Sequence, residues 1–129
     1  MVTRVLDPGV TGADIAWIRD NWSGKLVVKG IQRVDDALMV ADAIGDEVEV
    51  YIDGGIASGT DIVAALVLGA RGTFVGRAYL YGLMAGGYDG VARDAEILEK
   101  EIRVTMQLLG VTWVSELNRN VARLRSESS

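Results

Sequence analysis

Three short apolar runs in this 129-residue chain end in residues suited to holding an anion or a polyol. "KLVVKG" (25–30) ends at Lys29 and Gly30, "VEVYIDGG" (48–55) at Asp53, Gly54 and Gly55, and "GTFVGRA" (72–78) at Gly76 and Arg77. Glycine lets backbone N–H groups come close to a phosphate, and the N-terminus of a following helix adds a favourable partial charge. Arg77 offers a planar charged fork that matches phosphate oxygens. Lys29 places a compact positive charge where an anion could develop. Asp53 can accept hydrogen bonds from ligand hydroxyls. Glycines after a strand also serve simple turns, and Lys29 and Arg77 taken singly are ordinary solvated charges. The argument for a ligand is that three such ends would fall on one sheet edge.

The elements that must position them form a β/α alternation. The apolar runs read as strands buried on both faces, as in a parallel sheet. "VDDALMVADAI" between the first two reads as a helix with Val34, Leu38, Ala41 and Ile44 on one face, stopped by Gly45. "GTDIVAALVLGA" reads as the next helix, with Thr60 and Asp61 at its start and Gly69 at its end. Lys29, Asp53 and Arg77 lie 24 residues apart in turn, which suits a repeating β/α unit. Such crossovers make the strands parallel and the connections right-handed. The expected fold is therefore α/β with about three parallel strands. In the N-terminal helix over "TGADIAWIRDNW", Ile15, Trp17 or Ile18, and Trp22 should pack on the first strand. A long amphipathic helix over 91–109, stopped by Gly110, should be followed by a short helix capped by Thr112. Residues 1–125 read as a single domain and 126–129 as a frayed tail. Trp17, Trp22, Tyr79 and Tyr81 read as packing residues, and Met84 and Met106 as core fillers.

Composition narrows the chemistry. The net charge is −5, from 13 Lys and Arg against 18 Asp and Glu, which argues against nucleic acid or an anionic membrane as partner. Cysteine is absent, so disulfides and thiolate chemistry are excluded. Histidine is absent too, which removes the commonest general base and metal ligand. No metal site is expected. The acid pair Asp35 and Asp36 suits the start of a helix. No apolar run is long enough to span a bilayer, no secretory leader is visible, and a cytoplasmic setting is the simplest expectation.

"LVVKGI", "DGGIASGTDIVAALVLGARGTFVGRAYLYGL" and "EILEKEIRVTMQLLGV" resemble the C-terminal part of the FMN-dependent α-hydroxy-acid dehydrogenases and oxidases, in particular their L-lactate dehydrogenase and lactate monooxygenase branch. The resemblance runs over about residues 7–117. It implies a partial (β/α)8 TIM barrel with FMN at the C-terminal edge of its strands. It also implies that Lys29 ends the fifth strand beside the flavin ring, where its charge favours the anionic reduced flavin. Asp53, Gly54 and Gly55 then hold the ribityl chain and phosphate after the seventh strand, and Gly76 and Arg77 hold the phosphate after the eighth. Ala57 stands where the family often has an arginine, so one phosphate contact is weakened.

Two departures from the family pattern set the functional expectation. The family's N-terminal half has no counterpart here. Between "VDDALMVADAI" and "VEVYIDGG" there is also no counterpart of the sixth strand, which ends in the family's Ser-Asn-His-Gly-Gly motif and is followed by an arginine. In the family that histidine is the catalytic base and that arginine binds the substrate carboxylate. A missing unit of about 30 residues fits one β/α repeat, with the join inside "ADAI". The resemblance thus implies a truncated L-lactate or related 2-hydroxy-acid oxidoreductase that keeps part of its FMN site and lacks its catalytic base. The other reading is a non-catalytic phosphate- or flavin-binding module, or a structural partner that completes another barrel. Open strand edges predict self-association or a complementary barrel fragment as partner.

Overall fold

A computed structural model describes residues 9–45 and 48–122. They fall into two compact units, Met1–Val48 and Glu49–Ser129.

In the first unit, helix α1 (Gly12–Asn21) packs on helix α2 (Val34–Ile44). At the start of α1 the N–H and Oγ1 of Thr11 donate to Asp14 Oδ2 at 2.8 and 2.7 Å. These two hydrogen bonds, the hydroxyl's foremost, hold the Asp14 carboxyl below the usual carboxylate range. The N–H of Gly45 closes α2 onto the Ala41 carbonyl at 2.8 Å. The interface is narrow, because a Cβ on Gly12 would stand 3.0 Å from Met39 Cγ. Only Ile15 and Val40 are buried in it.

Several expectations fail in this unit. Residues 25–30 pair with no strand among the described residues, so the predicted first strand is not formed. A strand needs a neighbour to take its backbone groups, and the described sheet consists only of two strands of the second unit. Without a sheet beneath them, the faces meant to cover it stay exposed: Trp17 at 66%, Trp22 at 56%, Val34 at 75% and Leu38 at 60%. Val40, off the expected stripe, is the buried residue of α2.

The second unit contains one β/α/β crossover. Strands β1 (Tyr51–Asp53) and β2 (Gly72–Phe74) run parallel, with Tyr51 opposite Gly72, Ile52 opposite Thr73 and Asp53 opposite Phe74. Helix α3 (Gly59–Val67) connects them. Beyond it the N–H groups of Gly69 and Ala70 turn back to the Leu66 and Ala65 carbonyls, both at 3.0 Å. Helix α4 (Arg77–Leu109) is longer than expected, and Gly86 and Gly87 leave helical geometry within it. It is thus a helical hairpin of residues 77–85 and 88–109. The two segments cross at glycines: a Cβ on Gly82 would lie 2.6 Å from the Gly90 carbonyl oxygen, and one on Gly90 would overlap the Gly82 carbonyl. The expected terminal helix is only a 3₁₀ turn (Val114–Glu116). Glu116, not Thr112, holds it, accepting from the N–H groups of Thr112 and Trp113, both at 2.7 Å. The tail expected at 126–129 lies outside the described residues.

The core of this unit lies among helices. Val63 and Val67 of α3 meet Met106 of α4 and Leu117, flanked by Leu66, Ile102 and Leu109. Met106 is therefore a core filler, whereas Met84 is 82% exposed. Tyr81 is exposed as well. Both strands are poorly covered: every residue of β1 is exposed, as is Phe74 of β2. The rings of Tyr51 and Phe74 lie 5.8 Å apart, centroid to centroid. A barrel fills its interior with layers of side chains from alternate strands around the ring, and two strands cannot close such a layer.

Candidate functional site

The C-terminal ends of β1 and β2 open onto one cavity of about 360 Å³. The loop after β1 supplies Gly55, Ile56 and Ala57, the start of α4 supplies Arg77, Ala78 and Tyr81, and the second segment of α4 supplies Asp94. Gly54 and Gly55 have φ of 92° and 76°, which a side chain would strain. A Cβ at Gly54, Gly55 or Gly76 would meet nothing within 4 Å. The turns need glycine at the first two positions, and all three positions face open space.

Two helices begin beside these strand ends, and their N-termini differ. That of α3 is satisfied within the chain. Asp61 Oδ2 accepts from the N–H groups of Ala57 at 3.1 Å and Ser58 at 2.9 Å, and from Ser58 Oγ at 2.8 Å. Glu101 Oε2 accepts from the Gly59 N–H at 2.7 Å. The hydrogen bond from Ala57 leads those that push the Asp61 carboxyl down. The N-terminus of α4 has Gly76 as its cap residue, no side-chain capping bond and no acid in its first turn. Its first N–H groups have no acceptor within the helix. Arg77, the first helical residue, is exposed and lines the cavity. This end can receive an anion, while the α3 end is already neutralised.

The structure brings Gly55 and Arg77 to one cavity, with Gly54 and Gly76 adjoining them in the chain. Asp53 is exposed at the end of β1, paired in register with Phe74. Lys29 is exposed and belongs to the first unit, whereas the other five belong to the second. Ala57, which stands at a frequent arginine position of the resembled family, lines the cavity with a methyl group. Tyr81, read from the sequence as a packing residue, lines the cavity instead, and so does Asp94, which has no distinguishing mark in the sequence. The signal for Asp94 lay in the Gly86–Gly87 pair, which folds residues 88–109 back onto 77–85. Among the described residues no cluster of acids could hold a metal ion, and no helix is long and apolar enough to cross a membrane.

The sequence pattern of the FMN-dependent dehydrogenases matches residues 1–43 and 38–124. The chain belongs to the FMN-dependent dehydrogenase family. It is 46% identical over 156 residues to a Mycobacterium tuberculosis protein assigned as an L-lactate dehydrogenase, with 96% of this chain and 38% of that protein covered. It is 37% identical over 146 residues to the L-lactate dehydrogenase of Caulobacter vibrioides, with 89% of this chain and 38% of that protein covered. Among solved structures, a soluble mutant of the membrane-associated (S)-mandelate dehydrogenase of Pseudomonas putida superposes with a TM-score of 0.72 at 31% identity, covering 92% of this chain and 42% of that one. The chain spans less than half the length of each of these relatives. Its two parallel strands and their crossover helix are consistent with a partial barrel.

Proposed function

We propose that this chain carries the phosphate-holding portion of an FMN-dependent α-hydroxy-acid dehydrogenase, with L-lactate or a related 2-hydroxy acid as the substrate class, and lacks the β/α unit that bears the catalytic base. One observation carries the reading: the uncapped start of α4, Arg77 and the Gly54–Gly55 turn border a single cavity. These residues fit the anionic end of FMN. Arg77 and the first amides of α4 would hold the phosphate, and the glycines leave the space it needs. Asp53 would accept hydrogen bonds from the ribityl hydroxyls. Lys29, on the first unit, would stand beside the flavin ring and favour its anionic reduced form. FMN, when bound, supplies the two-electron acceptor for oxidation of a hydroxy acid.

The missing unit is supported from three sides. The family pattern is matched in two pieces that overlap at residues 38–43 rather than in one run. The alignment with the M. tuberculosis relative spans 156 positions, of which 96% of 129 residues fills about 124, leaving about 32 without a counterpart here. For the Caulobacter relative, 89% of the chain fills about 115 of 146 positions and leaves about 31. Both gaps have the size of one β/α repeat, about 30 residues. The chain also contains no histidine. No imidazole here can take the hydroxyl proton of a 2-hydroxy acid, and loss of a positioned base costs about 10²–10⁴-fold in rate. Of the acids near the strand ends, Asp53 has the role of a hydroxyl acceptor, and Asp94 has its Oδ2 shut off from solvent.

The exposed strands favour a partner. Further barrel strands, from a complementary fragment or a second copy of this chain, would pair the open edges of β1 and β2 and cover Tyr51 and Phe74. The decisive experiment titrates the purified chain with FMN and with riboflavin, which lacks the phosphate, and follows flavin fluorescence. Saturable FMN binding at micromolar concentration, at least about tenfold tighter than riboflavin, is expected from the loss of charge-assisted hydrogen bonds. Equal affinity for the two flavins would overturn the phosphate site.

A further inference from the structure

The loop after β1 is anchored at both ends, and its far anchor is a side chain of α4. The Gly59 N–H donates to Glu101 Oε2 at 2.7 Å across 42 residues of chain, and the bond is partly buried. Thr105 Oγ1 donates to the Glu101 carbonyl at 2.8 Å, so the Thr60 hydroxyl donates to Thr105 Oγ1 at 3.1 Å. Beneath these bonds the two helices touch through their backbones. A Cβ on Gly59 would stand 2.5 Å from the Ile102 nitrogen and 2.6 Å from the Leu98 carbonyl oxygen. The near anchor is the pairing of Asp53 with Phe74 in the sheet.

The far anchor joins two walls of the cavity. Ala57, just before the start of α3, lines it from the loop. Asp94 lines it from α4, on the same helix face as Glu101 and about two turns earlier. The same hairpin carries Arg77. Between the anchors, a Cβ on Gly54 or Gly55 would meet nothing within 4 Å, so these residues have no packing to hold them. Asp61 bonds to Ala57 and Ser58, but it belongs to α3 and ties the loop only to that helix. Glu101 is the carboxylate that ties the segment to α4.

We propose that Glu101 is a positioning residue of the cavity: through the Gly59 N–H it holds the Gly54–Ala57 loop in place against Arg77. Glu101 does not line the cavity and acts on a bound phosphate only through that loop. The inference rests on the reading of the cavity as the site for the phosphate of FMN and adds the group that preorganises it. A loop without its anchor must be ordered by the ligand on binding, and affinity falls accordingly.

The test titrates the full chain and three variants with FMN and with riboflavin, following flavin fluorescence. Glu101→Ala removes the acceptor, Glu101→Asp keeps the charge but draws it back by one methylene, and Glu101→Gln keeps an acceptor of the same reach. Glu101→Ala and Glu101→Asp should each weaken FMN by about tenfold, the effect of one hydrogen bond to a charged acceptor, with riboflavin unchanged. Glu101→Gln should recover most of the FMN affinity. Should Glu101→Ala fail to fold, Glu101→Asp and Glu101→Gln decide alone. Three results would overturn the role of Glu101 while leaving the phosphate site standing: unchanged FMN affinity in Glu101→Asp, equal weakening of both flavins, or a Glu101→Gln variant as weak as Glu101→Asp. Equal affinity of the wild-type chain for FMN and riboflavin would overturn the phosphate site itself, and this inference with it.

Discussion

Gly90→Ala tests whether the helical hairpin that builds the cavity wall is packed as closely as the structure indicates. A Cβ there would overlap the Gly82 carbonyl, and the reciprocal Cβ on Gly82 would lie 2.6 Å from the Gly90 carbonyl oxygen. The obstacle is backbone on both sides, so no side chain can rotate away. Overpacking of this kind costs about 1–3 kcal/mol. Alanine returns up to about 1 kcal/mol over glycine in a helix interior. Because both partners are main chain, the upper part of the range applies, and the net loss should be about 1–2 kcal/mol. For a unit of this size that lowers the melting temperature by roughly 5–15 °C. The control is Gly86→Ala, where a Cβ meets nothing within 4 Å and φ is negative. It should change stability by no more than about 0.5 kcal/mol. Thermal melts of the three proteins, followed by far-ultraviolet circular dichroism, give the comparison. If Gly90→Ala melted with the wild type, the close crossing of the two segments would be refuted, and with it the placement of Asp94.

Two further outcomes follow from the site and its caps. Arg77→Ala should weaken FMN by roughly 10–100-fold while leaving riboflavin unchanged, since it removes charge-assisted hydrogen bonds to phosphate; a flavin titration of the variant reads both. Asp61 is held below its ordinary range by the Ala57 N–H and the Ser58 hydroxyl, so its contribution is present above the unfolded carboxylate value near about 4 and is lost as pH falls through the lower folded value. Asp61→Asn should therefore lower the unfolding free energy measured in urea at neutral pH by about 1 kcal/mol, the effect of a lost cap. Its acid-side decline should be shallower than the wild type's, and an identical slope below about pH 4 would contradict the role of Asp61.

Local signals were read well where the chain itself satisfies them. Val34–Ile44 forms the helix over the residues its pattern marks, and Gly45 stops it. The turn at Gly54 and Gly55 also stands where the spacing places it, whereas Arg77, read as a strand end, starts α4. What failed depends on partners outside the local sequence. Residues 25–30 have the apolar run of a buried strand but no neighbouring strand among the described residues to bond to. Trp17, Trp22, Val34 and Leu38 have the spacing of buried faces but no sheet to face. The site was half legible. Gly55 and Arg77 announce themselves by type and position, whereas Asp94 enters the cavity only through the fold-back at Gly86 and Gly87, which a reading of helical period over 91–109 passes over.

The account's main claim is that the site for the cofactor's phosphate is present while the group that removes the substrate proton is not. The direct measurement saturates the chain with FMN, adds L-lactate without oxygen, and records the flavin absorption spectrum, with chemical reduction by dithionite as the positive control. The account predicts that FMN binds, that dithionite bleaches it and that L-lactate does not. Bleaching by L-lactate would contradict it.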